Sequence, residues 1–277
     1  ALEVPRWKFP KAISEALCFF VEHGPSHPEL LSCNARQFLD LQKGPYEVPD
    51  LREPLSCIEC APDLPNTYSD GGFINPRIPC WGLGGFAVWH PERNLSVEPL
   101  HHNEESYTYM HARAVPHGIA LWQAIPGQIC DSTRTEVIAA LVSISRPSPC
   151  RVGCDNASVI KRVHNILANP NRPPKKPWGC QPNGDLWAIV QAFAVAKGPH
   201  AIAFDKVKAH PVFEDIATGI VPERHRTQNA TVDADTRTGI YEHGSHTVAL
   251  AYAYAFIDQL CTNALVHIQR CQMRILR

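Results

Sequence analysis

Four acidic residues, each in a different local setting, are the ones in this 277-residue chain best placed to do chemistry. Asp70 ends the strand-like run Asn66-Thr67-Tyr68-Ser69 and is followed by Gly71-Gly72. Glu136 sits early in a helical pattern, Asp155 ends a short apolar run, and Asp233 comes four residues after Asn229. Carboxylates that converge from strand ends and helix faces can hold two divalent cations, because hard oxygen ligands suit Mg²⁺ and Mn²⁺. Two such ions about 4 Å apart activate a water for in-line attack on a phosphodiester and stabilise the leaving oxygen. The chemistry suggested is phosphodiester hydrolysis. Singly, each residue has a plainer reading. Asp155 fits a turn or helix cap, Glu136 a capping-box partner of Thr133 or a solvated first-turn charge, and Asp185 a helix N-terminal residue rather than a ligand. The ordered set is what favours a site.

The elements that must position these groups follow from local patterns. Strands are expected at 66–70, at 82–89 and at 119–125, an antiparallel meander by their apolar texture. The polar stretch 91–117 between the second and third is long for a hairpin connection and reads as a surface excursion. The run Ser132-Thr133-Arg134-Thr135-Glu136 looks like a capped helix start, and Val137, Ile138, Leu141 and Val142 supply a buried stripe that turns Glu136 toward the strands. Residues 151–155 form a short strand and 156–167 a helix, a βα unit. After a loop at 169–182, Asp185-Leu186-Trp187 opens a helix to about residue 197, and 201–207 is a last strand. An amphipathic tail, 248–268, repeats Leu250, Tyr254, Ile257, Cys261, Ala264 and Ile268 at helical spacing. Residues 1–65 hold nine prolines and two helix-like stretches, around Ile13 to Phe20 and Leu31 to Leu39, and read as a separate helical lead-in. There is no internal repeat and no low-complexity segment.

Composition bounds the partners. A formal charge of −1 exerts no global pull on nucleic acid, so such binding must come from local clusters of Lys and Arg. Eleven cysteines without dense short spacing, and no signal peptide or long apolar run, point to a reduced intracellular compartment, cytoplasmic or nuclear, and to no membrane. The sequons at Asn94, Asn156 and Asn229 are taken as chance. A chain that begins with Ala1 reads as an excerpt or processed piece of a longer protein.

Five segments then carry a resemblance: Tyr68-Ser69-Asp70-Gly71-Gly72; Arg134-Thr135-Glu136-Val137-Ile138-Ala139-Ala140-Leu141; Gly153-Cys154-Asp155-Asn156; Asn183-Gly184-Asp185-Leu186-Trp187; and Lys206-Val207-Lys208-Ala209-His210 with Asn229-Ala230-Thr231-Val232-Asp233. With them, the order of three strands, helix, strand, two helices, strand and terminal helix resembles a type 1 ribonuclease H domain, of the kind found in retroelement reverse transcriptases. The resemblance implies an α/β ribonuclease H-like fold, a mixed five-stranded sheet flanked by helices, over residues 66–240, with a helical N-terminal extension (1–65) and C-terminal tail (241–277). It matches Asp70, Glu136, Asp155 and Asp233 to the family's metal-binding carboxylates and His210 to its loop histidine. Asn75, Thr133, Asn156 and Asn183 fall at substrate-side positions. The implied activity is Mg²⁺-dependent cleavage, with Mn²⁺ as substitute, of the RNA strand of an RNA:DNA hybrid. Such hybrids are read by groove shape, 2′-hydroxyls and phosphates.

Some residues depart from the family pattern. The loop from His210 to Asn229 is long, Gln228 stands where Gly is usual, and Asp235 lies two residues past Asp233. Residues two apart on a helix face different sides, so one aspartate alone can face the metals; the Asn-x-x-x-Asp spacing selects Asp233. His225 is the runner-up for the loop histidine. Arg172, Lys175, Lys176 and Trp178 form a basic, aromatic handle that could neutralise phosphates and stack on a sugar, against a reading as a solvated Pro-rich loop. Cys57 and Cys60 have zinc-knuckle spacing without a second pair and read as free thiols. His101, His102 and His111 read as exposed polar residues. The competing functions are a catalytically inactive domain that grips hybrid or structured RNA, and another nuclease of the same superfold. A reverse transcriptase domain of the same polyprotein is the expected protein partner.

Overall fold

The computed structural model describes residues 56–78, 81–106, 111–115, 118–125, 130–209, 212–219 and 222–276. The helix-like stretches expected within 1–55, and His210, lie outside the described residues. Six strands, β1 (Thr67–Ile74), β2 (Leu83–His90), β3 (His111–Val115), β4 (Gly118–Ile125), β5 (Cys150–Cys154) and β6 (Ile202–Lys206), form one sheet in the order β3-β4-β2-β1-β5-β6. The β1, β2, β4 and β3 neighbours are antiparallel, and β5 runs parallel to both β1 and β6. The helices are α1 (His102–Ser106), α2 (Ser132–Ser145), α3 (Ala157–Ala168), α4 (Gly184–Lys197), α5 (Phe213–Ala217), α6 (Glu223–Tyr241) and α7 (Ser245–Ile275). All five expected strands are present in one mixed sheet flanked by helices, and β3 adds a sixth at the edge.

That sixth strand corrects the reading of 91–117 as a surface excursion. The segment contributes α1 and β3, and within it the guanidinium of Arg93 and the carboxylate of Glu104 are fully buried together, Arg93 also donating to the Pro99 carbonyl at 2.9 Å. Charged residues read singly look like surface, yet two of opposite sign tolerate burial when each satisfies the other's hydrogen bonds.

The sheet carries helices on both faces, and so β2 reads as a nearly unbroken apolar run, Leu-Gly-Gly-Phe-Ala-Val-Trp, rather than alternating. Phe86 and Val88 join the large core with α2, α3 and α4, while Ala87 and Trp89 join Tyr68, Trp122 and Val232 of α6 on the other face. On the first face α2 is buried at every position from Arg134 to Ser145, not along one stripe, because the sheet lies on one side of it and core residues of α3 and α4 on the other. The Lys197 ammonium, itself buried, donates to the carbonyls of Ile144 (3.2 Å) and Arg146 (2.7 Å) and so closes the C-terminus of α2. On the second face α6 lies directly on backbone. A Cβ at Gly85 would stand 2.4 Å from the Ile240 nitrogen, and one at Gly239 2.8 Å from the Phe86 carbonyl oxygen, so both positions require glycine.

The start of α7 packs Val248 and Ala251 against Leu83 and Ile240, and Trp81 stacks on Tyr254 with ring centroids 4.7 Å apart. Its later turns, from Cys261 on, are mostly exposed. Ahead of β1, the Cys57 and Ala61 amides donate to the carbonyls of Lys197 and His200. Among the described residues no helix is long and apolar enough to cross a membrane.

Candidate metal centre

Three elements deliver the central carboxylates. β1 and β5 are parallel neighbours with Ser69 opposite Cys154, so the residues that follow, Asp70 and Asp155, stand side by side. α2 approaches β1 at Gly71, which brings Glu136 over the same end. The result is one group, Asp70, Glu136 and Asp155, whose ligand oxygens all lie within 4.8 Å of one another. Burial pushes Asp70 up to about 6, with the charges of Asp233 and Asp155 adding and a hydrogen bond from Thr236 opposing. Glu136 is pushed up to about 9 by burial and then by the charges of Asp70 and Asp155, against hydrogen bonds from Asn156 and Gly71. Its Oε2 atom is buried with no hydrogen-bond partner. Clustered like charges and an orphaned buried oxygen are costly unless a cation satisfies them, so this donor set fits hard divalent ions.

The fourth carboxylate comes from α6. Asp233 is half-buried and near enough for its charge to be felt at Asp70, though outside the 4.8 Å group. Asp235, two residues on, is only 2% exposed and points elsewhere, as the helical period requires. Thr236 also donates to the Asp70 carbonyl at 3.3 Å, tying α6 to β1 beside the cluster.

The expected substrate-side residues separate on inspection. Thr133 is exposed on the first turn of α2, but it does not cap that helix: Asp131 does, accepting from the Arg134 amide at 2.6 Å. Asn156 caps α3, its side-chain oxygen accepting from the amides of Ser158 (3.1 Å) and Val159 (3.2 Å), while its amide group serves Glu136. Asn75 has a left-handed backbone (φ 54°) and spends its amide on the carbonyls of Trp81 (3.0 Å) and Ala251 (3.2 Å). Asn183, also left-handed (φ 53°), precedes α4 and accepts from Arg134 at 3.3 Å. Asp185, in the first turn of α4 as expected, takes a two-pronged ion pair from Arg134, at 3.0 and 2.6 Å.

The basic handle stands apart from the carboxylates. Arg172, Lys175 and Lys176 are exposed along a cleft of about 660 Å³. They follow the C-terminal end of α3, whereas Asp155 precedes its N-terminal end, and a helix of 12 residues spans about 18 Å. Trp178 is half-buried against the core and donates to Gln191 at 2.9 Å. Arg162 lies over its ring, 5.3 Å from the centroid, and over that of Trp187 at 4.6 Å. Trp178 thus has a cation on its ring from within the chain.

Sequence reasoning missed Arg162, Arg134 and Thr236, whose partners lie far along the chain. It also missed the bond between the Tyr68 hydroxyl and His225 Nδ1, 2.9 Å. Tyr68 is two residues before Asp70 and so on the same strand face. Among the described residues Cys57 and Cys60 join no third metal-ligating group, and the rings of His101 and His102 meet at a tilt with centroids 4.0 Å apart.

No protein-family model and no curated protein matches this chain. Among solved structures, the chain is similar to the PFV RNase H domain, at 18% identity and a TM-score of 0.39, over 63% of this chain and 93% of that one. It is also similar to a foamy viral protease-reverse transcriptase solved in complex with an RNA/DNA hybrid, at 16% identity and a TM-score of 0.39, over 72% of this chain and 22% of that one.

Proposed function

We propose that residues 66–240 form a ribonuclease H domain of retroelement origin that hydrolyses the RNA strand of RNA:DNA hybrids. The observation that carries this reading is the convergence of Asp70, Glu136 and Asp155 within 4.8 Å, with the charge of Asp233 beside them. These four would hold divalent cations, Mg²⁺ or Mn²⁺, which when bound supply an activated water and positive charge at the leaving oxygen. The chain's own contribution is to hold the carboxylates together, and a bound cation would be what favours their ionised forms. Burial alone favours their neutral forms, so the same group that repels itself without metal is organised to take it up. Thr133 and Asn183, near the starts of α2 and α4, would contact the substrate. The exposed Arg172, Lys175 and Lys176 extend the contact along the phosphate backbone. His210, by resemblance, assists turnover.

The test is cleavage of a labelled RNA:DNA hybrid with Mg²⁺ or Mn²⁺, against single-stranded RNA, duplex RNA and duplex DNA. Metal-dependent cuts in the RNA strand of the hybrid alone are the expected result. Tight hybrid binding without cleavage would replace the nuclease by an inactive hybrid-binding domain.

A further inference from the structure

Beside the carboxylates lies Lys206, a cation that no part of the reading above uses. β5 and β6 are parallel, with Cys154 opposite Lys206, so Lys206 ends its strand next to the residue preceding Asp155. Its ammonium reaches across and donates to the main-chain carbonyl of Asp155. The side chain is exposed, and among the described residues its ammonium pairs with no carboxylate. An ammonium has three donors, and one carbonyl occupies one of them. Lys206 therefore brings a positive charge, with donors to spare, to the rim of the acidic cluster. That rim lies at the carboxyl ends of parallel strands, where α/β sheets receive their ligands.

Other cations of the fold are accounted for differently. The Arg134 guanidinium is taken by Asp185 and Asn183, and Arg224 by Glu92 at 2.8 Å. Arg151 is taken by Asp205 at 3.1 Å. Each of these holds the scaffold together. Lys206 differs because its partner is a neutral carbonyl, and a phosphate oxygen is the stronger acceptor for an ammonium.

We propose that Lys206 contacts the substrate, its ammonium binding a non-bridging oxygen of the backbone phosphate that lies against Asp155. This inference rests on the nuclease reading for the identity of the ligand, a nucleic-acid phosphodiester. The contact forms in ground and transition states alike, so it belongs to binding. Replacing Lys206 by Met keeps the stem and removes the charge. It should raise KM for the hybrid by about tenfold, with kcat little changed. It should also lower the slope of log affinity against log salt by about one, the value for one phosphate contact. Lys206→Arg should restore both.

The experiment is performed on the full chain in two arms: hybrid cleavage in Mg²⁺, and fluorescence anisotropy of hybrid binding in Ca²⁺ across a salt series. A thermal melt confirms that each variant folds. An unchanged KM and salt slope in Lys206→Met overturns the proposal. So does a fall in kcat with a raised Mg²⁺ requirement at unchanged salt slope, which would make Lys206 a support for the Asp155 turn. If the wild-type chain binds hybrid but does not cut it, the nuclease reading fails while the salt slope still decides on Lys206. Absence of hybrid binding by the wild-type chain sinks both.

Discussion

Gly71 and Glu136 touch through their backbones: a Cβ on the glycine would stand 2.4 Å from the glutamate's main-chain nitrogen and 2.4 Å from the Thr135 carbonyl carbon. Backbone atoms of a buried helix cannot step aside as a flexible side-chain tip can. Gly71→Ala should therefore push α2 off β1, costing about 1–3 kcal/mol of stability as overpacking does. Glu136 rides on the displaced turn, so metal-dependent cleavage should fall more steeply than stability. Urea unfolding and cleavage rates of the variant check both halves.

Asp70→Asn and Asp155→Asn should abolish cleavage while leaving the fold intact. An amide keeps the shape and loses the charge that would hold a cation. Without metal these variants should melt no lower than the wild type, because removing one charge relieves repulsion at the other carboxylates. Wild-type cleavage rates at saturating Mg²⁺ in either variant would remove that residue from the site.

The metal-free chain should lose stability as pH rises. Asp70 is pushed up to about 6 and Glu136 to about 9, both by burial first. A carboxyl whose folded pKa lies above its unfolded value binds more protons when folded. Its stabilising contribution is complete below about pH 4 and is lost as pH climbs through the folded value. Melting temperature without metal should thus decline between about pH 5 and pH 9. Added Mg²⁺, which takes the ionised forms, should raise it most at the alkaline end. Glu136→Gln should flatten the decline, and a flat wild-type profile would contradict the burial of these groups.

Arg134→Ala should loosen the first turn of α2. It strands Asp185, whose carboxyl lies below its usual range because of Arg134 despite partial burial. Asp185 keeps some solvent, so the expected loss is about 1–2 kcal/mol near neutral pH. This pair stabilises above the unfolded carboxylate value and fades as pH falls, so variant and wild type should converge in acid. Paired melts at pH 7 and pH 3 measure the convergence.

Replacing Arg172, Lys175 and Lys176 together with Ala should weaken hybrid binding and flatten its salt dependence by about one unit of slope per lost phosphate contact. The rate at saturating substrate should barely change, since these residues stand at the far end of α3 from Asp155 and contribute uniform binding. An unchanged slope would make the cleft a solvated connector.

Much of the architecture was legible in sequence because its signals are local. Strand runs, the helical spacing of Val159, Ile160 and Val163, and an aspartate after a short apolar strand are all set within a few residues. The helical period shows that Asp233 and Asp235 cannot both face one site, and the Asn-x-x-x-Asp spacing selects Asp233. The cap by Asn156 is likewise local, its side chain bonding amides two and three residues on. What only the tertiary structure decided are pairings across long separations. Arg134 finds Asp185, 51 residues away, and Tyr68 finds His225, 157 residues away. Arg93 and Glu104 enter the interior only because each neutralises the other, which made a polar insert part of the fold. The site itself divides along the same line: residue types and spacing nominated the carboxylates, but the register of β1 on β5 and the close approach at Gly71 alone bring three of them within reach of one cation.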